Sequence, residues 1–155
     1  MSVFNVNKLI DGAKFNNYYV LLYILICAVF VLDGYDLGIY GGVVPDLMKE
    51  WSLSPAEVGV IGSYVLVGFA FGALGLGALG DKFGRKNVTV VCIGVFSIFT
   101  GMCGLANNAT EFSIYRVIAG VAMGGSFPNV IALASDYAPQ PIRAFFIASP
   151  ASTGM

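Results

Sequence analysis

The sequence predicts an all-α transmembrane protein with four complete spans and the beginning of a fifth. Of its 155 residues, 57% are hydrophobic and 11% are charged, whereas a soluble domain carries about 25% charged residues. The mean hydropathy is +0.82, and the apolar residues form long runs separated by short polar turns. Because about 20 apolar residues suffice to cross a bilayer as a helix, we expect a multi-pass membrane protein.

The predicted elements follow one another with short connections. A polar N-terminal segment, residues 1–17, has no cleavage pattern of a secretory signal, and residues 18–155 are expected to form one membrane domain. The predicted spans are about 18–44, 56–79, 88–105, 112–134 and 144–155. The last of these is shorter than the about 20 residues that a crossing needs. We therefore expect the sequence to stop inside a fifth helix.

Local signals delimit the first two spans. The first is expected to end before Pro45-Asp46, and a polar connection follows in which Trp51 is an expected interfacial anchor. Ser54, Pro55 and Glu57 then have the spacing of a capping box with proline at the first helical position. This pattern predicts that the second helix begins at Pro55.

Basic residues are distributed unequally between the two sides of the predicted membrane. One side receives Lys8, Lys14, Lys82, Arg85, Lys86 and Arg143, and the other receives Lys49. Cytoplasmic loops carry the excess of Lys and Arg. The N-terminus and the connections after the second and fourth spans are therefore expected to be cytoplasmic.

Two carboxylates interrupt the first span. The apolar run of residues 18–32 is about 15 residues long, or roughly 22 Å of helix, so a helix that crosses must continue through Asp33 and Asp36. Each carboxylate costs on the order of 2.5–3.5 kcal/mol near the bilayer centre. The two residues are three positions apart and share a helix face. Such residues are functional candidates by default.

A cation is expected at a similar depth. Arg116 lies about one turn inside the fourth span, within roughly two helical turns of the depth of Asp36. An Asp–Arg pair that forms and breaks can take up and release a proton. The alternative is a permanent structural salt bridge that never titrates. Two carboxylates facing one cation favour the proton-coupling interpretation.

Other residue types exclude several kinds of chemistry. The chain contains no histidine and three cysteines, all within apolar spans, so neither a histidine-based metal site nor a disulfide framework is expected. No phosphate-binding loop or nucleophile–base arrangement occurs. We expect no enzymatic activity, no cofactor and no nucleic-acid partner.

Glycines recur every four residues in three of the spans. They are Gly34, Gly38 and Gly42 in the first, Gly68 and Gly72 in the second, and Gly120 and Gly124 in the fourth. This spacing lets helix backbones approach closely in lipid. We interpret most of these glycines as packing grooves, although some could instead line a substrate path or act as hinges.

The connection between the second and third spans has a distinctive pattern. Its marked positions are Gly77, Gly80, Asp81, Gly84, Arg85 and Lys86. A cytoplasmic turn explains the basic residues, but it does not require three glycines around one acid. This segment resembles the loop 2–3 signature of the major facilitator superfamily.

Two further stretches carry the same resemblance. Residues 116–125 are similar to the fourth-helix motif of that superfamily. Residues 33–36, Asp-Gly-Tyr-Asp, are similar to the first-helix signature of its aromatic acid:proton symporter family. The resemblance covers nearly the whole chain, but only about the first third of a twelve-helix transporter. It implies that this domain is part of an N-terminal six-helix domain.

The resemblance implies a function. Symporters of that family import benzoate-like or hydroxybenzoate-like anions together with protons. Asp33 and Asp36 would then be needed for transport, and Arg116 would couple protonation to the substrate or to a gate. Tyr35 and Tyr40 are candidates for ring contacts with an aromatic substrate.

The marked positions of the 2–3 connection would form a cytoplasmic gate, with Asp81 and Arg85 at its centre. The implied partners are a small aromatic acid anion, protons, the lipid bilayer and the C-terminal helices of a full transporter. Two alternatives stay open: a major facilitator for another organic acid or a sugar, and a four-helix membrane fragment or oligomeric subunit that does not transport.

Overall fold

Four long helices account for most of the chain. The computed structural model describes residues 17–137, which form α1 (Asn17–Glu50), α2 (Pro55–Phe83), α3 (Arg85–Cys103) and α4 (Ala109–Tyr137). All four are long and apolar enough to cross a membrane. The predicted all-α transmembrane class is confirmed. The predicted N-terminal segment and the start of a fifth span lie outside the described residues.

The chain divides into two compact units. Within the described residues, one consists of residues 17–34 together with residues 131–137, and the other is Tyr35–Val130. In the described part of the first unit, Ile26 and Phe30 on α1 are buried. The second unit contains α2, α3 and most of the candidate residues.

Helix α1 extends past its predicted end. The expectation that the first span ends before Pro45 is wrong, because α1 runs through this proline to Glu50. A proline inside a helix removes a hydrogen bond and costs about 3 kcal/mol. The extra turn places Leu47 in a buried cluster with Ile61 and Phe112. The packing of Leu47 in this cluster compensates for that cost.

The predicted capping box at the start of α2 is confirmed. The backbone N–H of Glu57 donates to Ser54 Oγ at 3.3 Å, and the backbone N–H of Ser54 donates to Glu57 Oε2 at 2.8 Å. Pro55 occupies the first turn. Two of the N–H groups that a helix start leaves without partners are thereby satisfied.

Helix α4 begins three residues earlier than predicted. The backbone N–H of Glu111 donates to Asn108 Oδ1 at 2.8 Å, and Glu111 Oε2 accepts from the backbone N–H of Asn107 at 3.1 Å. Asn108 thus caps the helix through its side chain. The first turn of α4 is fixed before the apolar run begins.

A single glycine separates α2 from α3. Gly84 has φ of +90°, a conformation that side chains with a Cβ rarely adopt. The chain therefore leaves α2 at Phe83 and enters α3 at Arg85. This geometry explains one glycine of the distinctive 2–3 segment.

Helices α2 and α4 cross in direct backbone contact. A Cβ atom at Gly68 or Gly72 would collide with the backbone of α4, and one at Gly120 or Gly124 would collide with the backbone of α2. Such close approach gains packing where lipid supplies no hydrophobic driving force. The packing interpretation is thereby confirmed for these four glycines. On α1, by contrast, Gly38 and Gly42 have open space where a Cβ would lie.

Candidate functional site

A buried ion pair joins α1 to α4. Arg116 Nη1 donates to Asp36 Oδ2 at 2.8 Å, and the two side chains are only 5% and 4% exposed. The residues are 80 positions apart in the sequence. Arg116 Nε is also buried, and it makes no hydrogen bond within the described residues. The guanidinium therefore has a donor beyond the one that Asp36 uses.

Tyr40 covers the guanidinium from α1. Arg116 Cζ lies 4.8 Å from the centroid of the Tyr40 ring, within the range of a cation–π contact. The Tyr40 hydroxyl donates to the carbonyl oxygen of Val58 at 2.6 Å. Gly62 accommodates the ring, because a Cβ at this position would lie 2.7 Å from Tyr40 Cε1. Tyr40 is thus held in place from both ends.

Two further aromatic rings close this region beyond Tyr40. The rings of Tyr40 and Phe112 are stacked with centroids 6.4 Å apart, and Trp51 meets Phe112 edge-on at 5.7 Å. Sequence reasoning missed Phe112 and Gly62 as neighbours of the site. Phe112 lies one turn before Arg116 on α4, so its helical spacing was an available signal. No sequence signal marks Gly62.

Two further residues of the first-helix motif were predicted to be functional, Asp33 and Tyr35. Asp33 is buried, with 7% of its surface exposed, and it belongs to the other compact unit, to which α1 contributes its residues up to Gly34. Tyr35 is 64% exposed and takes no part in the cluster of Asp36, Arg116 and Tyr40. Its predicted contact with a substrate ring stays a prediction.

A second Asp–Arg pair lies at the 2–3 connection. Arg85 Nη2 approaches Asp81 Oδ1 at 3.0 Å, and Arg85 Nε donates to the same oxygen at 3.2 Å. The side chains of Arg85 and Asp81 are 33% and 70% exposed. Lys86 is exposed in the first turn of α3. This pair therefore lies where α2 ends and α3 begins, and both of its side chains are partly exposed.

Helix α4 explains the remaining glycines of the 2–3 segment. A Cβ at Gly77 would lie 3.1 Å from Pro128 Cγ, and one at Gly80 would collide with the Asn129 side chain. Asn129 is buried, and its Nδ2 donates to Leu76 O at 3.1 Å and to Gly125 O at 2.8 Å. It thus ties the end of α2 to α4. Sequence reasoning missed Asn129, a polar residue in an apolar helix and therefore a detectable signal.

The buried pair has a specific chemical capacity. In a low-dielectric interior, removal of one partner leaves the other charge uncompensated, at a cost of about 3–5 kcal/mol. Arg116 can therefore release Asp36 cheaply only when a second anion compensates the guanidinium and a proton neutralises the released carboxylate. The arrangement suits a site that alternates between an internal and an external carboxylate.

Comparison with known proteins identifies the family. Residues 26–152 match the profile of the Major Facilitator Superfamily. The chain is 47% identical over 148 residues to the benzoate transport protein of Acinetobacter baylyi, in an alignment that covers 92% of this chain and 32% of that protein. It is 44% identical over 110 residues to the gentisate transporter of Corynebacterium glutamicum, which covers 71% of this chain and 25% of that protein.

A 4-hydroxybenzoate transporter of Pseudomonas putida is 34% identical over 151 residues, which covers 94% of this chain and 34% of that protein. The chain thus spans between a quarter and a third of the length of these curated relatives. The family match extends over most of the chain, and the resemblance noted in the sequence is confirmed. This chain is a multi-pass membrane protein that belongs to the major facilitator superfamily.

Proposed function

We propose that this chain forms the first helices of a secondary transporter that imports an aromatic acid anion together with protons. The observation that carries the proposal is the buried pair of Asp36 and Arg116, which α1 and α4 place inside their membrane spans. The relatives named for benzoate, gentisate and 4-hydroxybenzoate support the substrate class. The transporter works in the inner membrane, with the N-terminus of the chain in the cytoplasm.

The substrate carboxylate binds to Arg116. The three named acids share one carboxylate attached to an aromatic ring, and an arginine offers several donors to such a group. The buried Nε of Arg116 is one of these donors. The ring of Tyr40 lies against the same guanidinium, so a substrate held there lies beside an aromatic face.

Proton coupling follows from the exchange of partners on Arg116. When a proton binds to Asp36, its attraction to the guanidinium falls, and the incoming carboxylate takes over the pairing. The cation is then compensated in both states. A proton and an anion therefore enter together, and release of the anion restores the original pair. Asp33 is the second carboxylate of the motif and a further proton acceptor.

Alternating access requires a second region that responds to the site. In folds of this kind, two halves rock around a binding site near the midplane of the membrane. We assign the cytoplasmic gate to the exposed Asp81–Arg85 pair, together with Gly77, Gly80 and Gly84. Lys86 completes the basic side of this gate. The remaining helices of the transporter would form the opposing half.

Uptake measurements test the proposal. The transporter that contains this chain is expressed in bacteria that lack aromatic acid uptake, and entry of radiolabelled benzoate is followed with and without a proton gradient. We expect Asp36→Asn to abolish gradient-driven uptake, because the neutral amide cannot exchange a proton. Asp46→Asn is the matched control, since Asp46 is an exposed aspartate on the same helix.

Two results would contradict the proposal. Uptake by Asp36→Asn that still follows the proton gradient would remove the proton role of this carboxylate. Wild-type transport of a sugar or an aliphatic acid in preference to benzoate and 4-hydroxybenzoate would remove the substrate class. Surface labelling of both variants establishes that equal amounts reach the membrane.

A further inference from the structure

An apolar groove lies between α2, α3 and α4, on the side of the 2–3 connection. Its volume is about 430 Å³, within the range of about 300–1,000 Å³ that is common for small-molecule sites. Its walls are aliphatic, and they include Leu76, Leu79, Val91, Val95 and Val121. The interior of this groove suits a hydrocarbon chain and offers nothing to a charged substrate.

The end of the groove near the membrane surface is basic. Phe83 and Asn87 line this end, and Lys82 and Lys86 directly precede them in the sequence. Lys82 Nζ lies 5.6 Å from the centroid of the Phe83 ring, so one ammonium group stands against a wall of the groove. Both lysines are exposed.

The two lysines are available to an external anion. Asp81 directly precedes Lys82, and its Oδ1 is occupied by Arg85 through two contacts of 3.0 and 3.2 Å. Within residues 17–137, neither Lys82 nor Lys86 forms a salt bridge. A second negative charge at this position would therefore meet two uncompensated cations.

The outer wall of the groove belongs to a helix that is mostly uncovered. In α3, Cys92 and Phe96 are buried, whereas Val90, Val91 and Ile98 are largely exposed. Since α3 spans the membrane, lipid tails are the solvent that its exposed face meets. An open apolar groove on such a face fills with hydrocarbon, and the charge at its end selects the headgroup.

We propose that this groove binds one acyl chain of an anionic phospholipid, with the lipid phosphate held between Lys82 and Lys86. Basic sites beside transmembrane helices attract acidic headgroups, because each nearby lysine adds electrostatic affinity. The lipid is a bound component beside the 2–3 connection, separate from the transported acid. The site depends on the membrane location of the chain and not on its proposed substrate.

The test measures lipid retention by the full chain. The chain is purified in a mild detergent and mixed with phosphatidylglycerol or phosphatidylcholine that carry identical acyl chains, and bound lipid is counted by native mass spectrometry. We expect phosphatidylglycerol to bind preferentially. The variant Lys82→Gln/Lys86→Gln should lower its affinity about thirtyfold and should lower that for phosphatidylcholine less, because the choline ammonium compensates the phosphate of that lipid.

A pair of adjacent valines tests the groove itself. Val91 lines the groove, and Val91→Trp places an indole in the space of the acyl chain. Val90 is similarly exposed and does not line the groove, so Val90→Trp is the matched control. We expect lipid retention to fall in the Val91 variant alone, while circular dichroism confirms an unchanged helix content in both.

Three outcomes would overturn the proposal. One is equal retention of the two lipids by the wild-type chain, and a second is unchanged phosphatidylglycerol binding in the double lysine variant. The third concerns the full transporter: if Val91→Trp lowers its thermal stability without reducing bound phosphatidylglycerol, a protein helix fills the groove. Loss of benzoate transport alone bears on the proposed function and not on this site.

Discussion

Two Asp–Arg pairs in the same chain have nearly the same contact distance and different environments. The distance between Asp36 and Arg116 is 2.8 Å with both side chains almost fully buried, and the distance between Asp81 and Arg85 is 3.0 Å with both partly exposed. The first pair joins residues 80 positions apart, whereas the second joins neighbours four positions apart. Contact distance alone therefore says little about what either pair does.

The two ion pairs differ in what compensates a charge that has lost its partner. Water compensates an exposed charge, so a surface pair contributes about 0–1 kcal/mol. A buried charge that loses its partner has no such compensation and costs about 3–5 kcal/mol. The buried pair thus exerts strong control over the arrangement of α1 and α4, and the exposed pair can open at little cost. The first property suits a coupling site, and the second suits a gate.

The largest expected effect comes from removal of each arginine in turn. Arg116→Leu leaves the Asp36 carboxylate buried and unpaired, so we expect it to destabilise the chain by about 3–5 kcal/mol. Arg85→Leu should cost at most about 1 kcal/mol. Thermal unfolding in detergent, followed by circular dichroism, measures both. Equal losses in the two variants would contradict the distinction between the pairs.

A double substitution separates stability from function at the buried pair. Replacement of a buried ion pair by apolar residues is often neutral or stabilising. We therefore expect Asp36→Leu/Arg116→Leu to recover most of the stability lost in Arg116→Leu, while benzoate uptake by the full transporter stays abolished. Recovery of uptake would show that the pair is structural only.

The next effect concerns the contact between Asn129 and the end of α2, close to the exposed Asp81–Arg85 pair. Gly80→Ala introduces a methyl group where the Asn129 side chain lies, and such overpacking costs about 1–3 kcal/mol. Gly75→Ala has open space on the same helix and should stabilise by about 0.5–1 kcal/mol through its effect on backbone entropy. Thermal unfolding should give opposite signs for the two variants. Identical signs would mean that Asn129 does not fix the end of α2.

A smaller effect tests how Tyr40 supports Arg116. Tyr40→Phe removes the hydrogen bond to Val58 and keeps the ring on the guanidinium, so we expect a loss of about 0.5–1.5 kcal/mol. Tyr64→Phe is the control, because the partly exposed Tyr64 should change stability by no more than about 0.5 kcal/mol. If thermal unfolding gives the same small change for both, the Tyr40 hydroxyl has no supporting role.

The smallest expected effect is a difference in how the two ion pairs respond to salt concentration. The Debye length falls from about 8 Å at 0.15 M salt to about 3 Å at 1 M. We expect the loss of about 0.3–0.5 kcal/mol in Asp81→Asn to vanish at high salt. The larger loss in Asp36→Asn should persist, because ions do not enter its buried surroundings. Unfolding temperatures at the two salt concentrations provide the measurement.

Much of the fold could be predicted from the sequence, because the signals that determine it are local. Apolar length predicts each of the four spans, and the spacing of Ser54 and Glu57 predicts the start of α2. The end of α1 was missed because the packing of Leu47 against Ile61 and Phe112 outweighs the local effect of Pro45. The early start of α4 was missed although Asn108 and Glu111 have the spacing of a capping pair.

Part of the candidate site could be predicted from the sequence. Sequence reasoning placed Asp36 and Arg116 at similar depths, and the structure joins them directly. It could not choose between Tyr35 and Tyr40, since both lie close to Asp36 in the sequence and have the same chemistry. The structure exposes Tyr35 and stacks Tyr40 on the guanidinium. Gly62 permits this contact from α2, and nothing in its own neighbourhood signals that role.

The sequence by itself determined the membrane class, the four spans and the family, because hydropathy, capping and motif spacing depend on residues close together in the chain. Tertiary structure alone decided which carboxylate pairs with Arg116 and which glycines contact a neighbouring helix. Glycines with the same four-residue spacing meet backbone on α2 and α4, whereas Gly38 and Gly42 on α1 meet open space. The physical reason is that these contacts depend on how the helices cross. The crossing is determined jointly by residues on several helices, which lie far apart in the sequence.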